Sequence, residues 1–128
     1  MSGSRLYDGF VPGRFPIDAY GNGGFRFADM SHRGSILVLP SGIKAWPIGS
    51  IKELTDEAVE PIFAEADEIE LLLVGTGIDV AAIPGKLRER FREAGIGLDV
   101  MQTGAAARTY NILLAENRKV AAALIAVG

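Results

Sequence analysis

Ile69-Glu-Leu-Leu-Leu-Val-Gly-Thr-Gly77 and, a helix-length further on, Gly97-Leu-Asp-Val-Met-Gln-Thr103 decide the fold. Each holds a short, mainly apolar run bounded by turn residues, which reads as a strand. Between them, Pro84 suits the first turn of a helix, and Leu87 and Phe91 place apolar groups on one face as far as Ala94. Gly95 and Gly97 stop that helix. Strand 69–74, helix and strand 98–101 then have the length and order of a right-handed parallel crossover. Its two loops, Gly75-Thr-Gly77 and Gln102-Thr-Gly104, leave from the same edge of the sheet.

Working outward, Thr103 is a suitable N-cap for another helix, with Ala106, Tyr110, Leu113 and Leu114 as its buried stripe and Asn117 at its end. Val120-Ala-Ala-Ala-Leu-Ile-Ala-Val127 reads as a strand, although its alanines also suit a helix. Small side chains fit a central strand packed closely by helices. Upstream, Thr55-Asp-Glu-Ala58 opens a helix with a threonine cap and acids in its first turn, and Pro61 delays or kinks it. Nearer the N-terminus, residues 17–20 and 25–27 flank Gly21-Asn-Gly-Gly24, a tight hairpin turn. Residues 35–39 and 43–46 flank Pro40-Ser-Gly42 in a second hairpin. The expectation is a single α/β domain over residues 1–128, with hairpins to about residue 50 and alternating helices and strands from 51 onward.

Composition narrows the function classes. The chain has 128 residues, 48% hydrophobic and 23% charged, which suits one globular core. No apolar run reaches the ~20 residues of a membrane span. The N-terminal residues carry neither a secretory h-region nor an Arg-rich presequence, so a cytoplasmic protein is expected. Sixteen acids against thirteen bases argue against a nucleic-acid partner. With no cysteine, disulfides and thiolate chemistry are excluded.

Catalytic groupings are sparse. His32, the one histidine, reads as an exposed loop residue, and one imidazole cannot build a His-rich metal site. Asp18, Asp79 and Asp99 read as turn formers or strand-end acids. Lys86, Arg88, Arg90 and Arg92 interleave with Glu89 and Glu93 as a mixed, solvated helix face. Trp46, Phe10 and Phe15 are core or loop anchors before they are a partner patch. Neither a cofactor nor a metal is expected, and no catalytic residue is assigned. The candidate ligand-binding set is Gly75, Thr76, Gly77, Thr103, Gly104, Arg108 and Asn111. These gather where open α/β sheets bind ligands, beside free N–H groups at a helix start. Arg108, a cation early in a helix, calls for Asp99, Asp79 or a bound anion to offset it.

The segment 97–103, together with Ala105-Ala-Ala-Arg-Thr-Tyr-Asn111, Leu113-Leu-Ala-Glu-Asn-Arg118 and Val120-Ala-Ala-Ala-Leu-Ile125, resembles a small α/β domain family of unknown function. That family includes the mitochondrial respiratory complex I assembly factor 3. Leu73-Val-Gly-Thr-Gly77, Asn22-Gly-Gly-Phe-Arg-Phe27 and Gly34-Ser-Ile-Leu-Val-Leu39 resemble it too. The resemblance implies a three-layer α/β fold with a mixed central sheet, N-terminal hairpins, and a last strand antiparallel to the others. It further implies a non-catalytic, assembly-accessory role with protein partners, such as membrane-complex subunits or other assembly factors, and leaves a homo-oligomer open. Asp99 stands where the family pattern has Glu, and Ala107 where many members carry Cys, so a thiol role does not transfer. A small-anion binding protein or enzyme, working at the C-terminal edge of the parallel strands, is the alternative.

Overall fold

The computed structural model describes residues 9–128. In chain order these form β1 (Phe10–Pro12), β2 (Ala19–Gly21), β3 (Gly24–Phe27), β4 (Met30–Arg33), β5 (Ser35–Leu39), β6 (Gly42–Trp46), α1 (Asp56–Phe63), β7 (Leu71–Gly75), α2 (Gly85–Glu93), β8 (Gly97–Met101), α3 (Thr103–Ala115) and β9 (Val120–Leu124). Single 3-10 turns lie at Ile51–Glu53 and Ala66–Glu68. No helix among the described residues is long and apolar enough to cross a membrane.

Six strands make a mixed sheet in the order β1-β6-β5-β9-β7-β8, and β2-β3-β4 form a separate antiparallel sheet. The crossover read from the sequence is present: β7 and β8 are parallel, with Leu73 opposite Asp99. β9 departs from the expected direction. It runs parallel to β7, with Leu73 opposite Ala122, and antiparallel to its other neighbour, β5. The reason is α3, a second full crossover, which carries the chain back along the sheet so that β9 starts from the same end as β7 and β8.

The alternation of side chains along each strand creates two apolar layers. Leu72, Val74, Ala121 and Ala123 face α1 and α2 and pack with Val59, Ile62, Leu87 and Phe91. Leu73, Val120, Ala122 and Leu124 face α3 and the small sheet, against Tyr110, Phe25 and Phe27. All five β9 residues are buried. That fits the alanines at positions 121–123, where elements packed on both faces favour small side chains.

Local chemistry sets the boundaries. Thr55 Oγ1 accepts the Ala58 N–H at 3.1 Å, capping α1, which continues two residues past Pro61. Trp46 is buried, and its indole N–H donates to the Ala58 carbonyl at 2.9 Å, tying β6 to α1. Phe10, by contrast, is 40% exposed on β1. The mixed face of α2 is not wholly solvated. Arg90 lies over the Phe63 ring and reaches Glu60 and Asp56 at 2.6 and 3.3 Å.

His32 is in strand β4 rather than a loop, and it is half-buried. Burial lowers its pKa, partly opposed by its hydrogen bond with the Ser35 carbonyl. Strand β4 escaped the sequence reading because the turn before it, Ala28-Asp29, holds φ values of +49° and +61° without a glycine. Such a turn is ordinarily announced by Asn-Gly, as at Asn22-Gly23 between β2 and β3.

Candidate functional site

β7 ends at Gly75, and the next two residues pass over the start of α3. A Cβ at Gly75 would stand 2.7 Å from Thr103 Cα, so glycine lets helix and strand approach this closely. Thr76 and Thr103 are both buried. Thr76 Oγ1 donates to the Asp79 carbonyl (2.7 Å) and accepts from the Ala81 N–H (3.0 Å), folding its own loop back on itself. Thr103 Oγ1 donates to the Ile125 carbonyl (2.7 Å) and accepts from the Gly77 N–H (3.0 Å).

These bonds change the part such residues can play. The hydroxyls that sequence position nominated for an anion hold loop to helix to chain end instead. Nor is Thr103 the N-cap: it is the first residue of α3, and Gln102 occupies the cap without a side-chain hydrogen bond. A threonine whose hydroxyl turns toward the sheet cannot also reach the first free N–H groups.

The other nominated residues meet one turn further along. Gly104, Arg108 and Asn111 share the flank of α3 that faces the chain leading into β2, and line a groove of about 360 Å³ with Asp18 and Tyr20. Asn111 Oδ1 accepts the Ile17 N–H, and its Nδ2 donates to the Ile17 carbonyl, both at 2.8 Å. That two-bond clamp imitates a strand pairing and builds the groove's far wall. Gly104 forms the floor; a Cβ there would run into the Tyr20 hydroxyl and lie 2.6 Å from Cζ. Arg108 is exposed, and among the described residues it has neither a hydrogen bond nor an ion pair. The offsetting carboxylates expected at Asp99 and Asp79 therefore do not meet it. Next to Asn111 on α3, Tyr110 is buried in the core, and burial pushes the pKa of its hydroxyl up to about 12, despite the opposing pull of Arg14.

Residues 17–125 match the family described as a protein of unknown function (DUF498/DUF598). The chain belongs to this family. Among relatives, an uncharacterized protein of Rhodobacter capsulatus is 37% identical over 113 residues, 88% of this chain and 86% of that one. The Xenopus tropicalis protein named NADH dehydrogenase [ubiquinone] 1 alpha subcomplex assembly factor 3 is 33% identical over 109 residues, 85% of this chain. The chain spans 60% of that relative's length. Among solved structures, one described as an outer membrane protein from Bartonella henselae superposes with a TM-score of 0.88 at 55% identity, covering 91% of this chain and 98% of that one.

Membership in the family accounts for the shared α/β architecture and for the likeness read from residues 22–27, 34–39, 73–77 and 97–125. Sequence reasoning missed Asp18 and Tyr20 as groove residues. The available signal was the Asn22-Gly23 turn. It fixes Tyr20 opposite Phe25, and therefore toward the interior side of the small sheet where α3 starts.

Proposed function

We propose that this protein is a non-catalytic assembly accessory that binds protein partners of a respiratory membrane complex, working in the cytoplasm as one domain. The observation carrying this reading is the 33% identity over 85% of the chain to a protein named as a NADH dehydrogenase assembly factor. The surface is compatible with it. Ile78, Val80 and Ile112 are 69%, 62% and 53% exposed, apolar side chains of the kind a partner covers. Deleting the gene in its own respiring host and resolving the NADH dehydrogenase on native gels tests the role. Accumulated subassemblies, rescued by the intact gene, are the expected result. Full complex at the parental level overturns it.

The groove beside Arg108 supports a second reading, a small anionic ligand held by that guanidinium. A thermal-shift screen of phosphates and carboxylates, repeated with Arg108→Ala, separates the two. A ligand-dependent rise in melting temperature that disappears in the variant favours the ligand.

A further inference from the structure

The register of the small sheet places Arg26 and Arg33 on the same face. Gly21, Gly24 and Arg33 lie opposite one another across the three strands, as do Ala19, Arg26 and Ser31. Phe25 and Phe27 point to the other side, into the core. The outer face is therefore a bare glycine floor flanked by two guanidinium groups. It forms a depression of about 480 Å³.

Three features give this depression a chemical character. First, no carboxylate among the described residues lines it. Second, neither arginine has an ion-pair partner among the described residues, in a chain where acids outnumber bases by sixteen to thirteen. Third, the groups around it are donors. Arg26 Nη1 donates to Ser31 Oγ at 2.8 Å, which leaves the serine hydrogen available to a ligand, and Asn22 is also among the lining residues. Gly24 has to be glycine, since a Cβ there would strike the His32 carbonyl oxygen of the neighbouring strand.

From this we infer that the outer face of β2-β3-β4 is a binding site for a phosphate monoester. Two positive charges match a dianion, whereas a single carboxylate would leave one guanidinium uncompensated. Two arginine forks with a hydroxyl and an amide supply enough donors for the three free oxygens of a phosphate. The chemistry is the same whether the phosphate sits on a free metabolite or on a lipid headgroup. This depression adjoins the Arg108 groove at Ala19 and Tyr20, which line both, but its two arginines are not part of that groove, and it does not depend on the assembly role.

The test follows backbone amide chemical shifts during titration with glycerol phosphate, alongside co-sedimentation with phosphatidylcholine vesicles containing phosphatidic acid. Shifts centred on residues 19–33 are expected, with affinity reduced by about tenfold or more in Arg26→Gln and Arg33→Gln. Arg26→Lys and Arg33→Lys keep the charge and lose the fork, so weakened binding there too distinguishes guanidinium recognition from bulk attraction. Unchanged shifts outside residues 19–33 verify that each variant is folded. Binding to the free probe identifies a soluble phosphate, and binding to the vesicles alone identifies the lipid. No response to either probe overturns the site. So does a response that is matched by acetate at equal ionic strength, or one that survives in the glutamine variants.

Discussion

Gly77 and Thr103 hold each other by two reciprocal hydrogen bonds. The Gly77 N–H donates to Thr103 Oγ1, and the Thr103 N–H donates to the Gly77 carbonyl, each at 3.0 Å. With the bond from Thr103 Oγ1 to Ile125, this residue locks the ends of β7 and β9 to the start of α3.

Thr103→Val keeps the shape and removes the hydroxyl. It leaves the Gly77 N–H and the Ile125 carbonyl each without that partner in a buried position, at a cost of about 1–3 kcal/mol per unsatisfied group. Urea unfolding should show a lower midpoint for the valine variant, and Thr103→Ser should recover most of the difference. Equal stability of valine and threonine proteins would mean that the hydroxyl holds nothing.

Gly75→Ala and Gly104→Ala should differ. At Gly75 the new methyl meets the Thr103 backbone at 2.7 Å, which cannot swing away, so a loss of about 1–3 kcal/mol follows. At Gly104 it meets the Tyr20 side chain, which is 47% exposed and can rotate into solvent. The second change should stay within about 0.5 kcal/mol. Thermal denaturation of both variants ranks them.

Asn111→Ala should release the segment at Ile17 while leaving α3 in place. The Ile17 amide then exchanges its hydrogen much faster than in the parent protein, whereas amides in β7 and β9 keep their protection. Uniform loss of protection would instead make Asn111 part of the global core.

Ala28→Gly should be stabilising. Alanine at φ +49° carries left-handed strain that glycine does not, worth about 1 kcal/mol, less the extra freedom glycine gains on unfolding. A higher urea midpoint is the expected reading.

Tyr110 makes the fold sensitive to alkali. Its pKa rises from 10.0 in the unfolded chain to about 12, because burial disfavours the phenolate. Stability from this group is therefore complete below pH 10.0 and is lost as pH climbs toward about 12, by an amount on the order of 2–3 kcal/mol. Ultraviolet titration of the tyrosines should show the last one ionising together with unfolding. Tyr110→Phe should flatten the stability loss over that pH range.

Much of the architecture was legible in the residues because periodicity and capping act locally. The parallel crossover, the Thr55 cap, the Asn22-Gly23 turn, the left-handed Asn117 after α3 and the alanine-rich strand all follow from neighbouring side chains and backbone preferences. The family likeness was legible as well, in residues 22–27, 34–39, 73–77 and 97–125. The direction of β9 beside β7, the strand at residues 30–33 and the partners of each hydroxyl were decided by tertiary structure. A strand's neighbour depends on how a crossover helix packs, and a threonine donates to whichever carbonyl packing brings within reach. The seven nominated site residues divide on that basis. Gly75, Thr76, Gly77 and Thr103 became a structural lock, because burial demanded hydrogen bonds from within the protein. Gly104, Arg108 and Asn111 came to line a groove, because residues 17–20 fold back against α3 from more than eighty positions away in sequence.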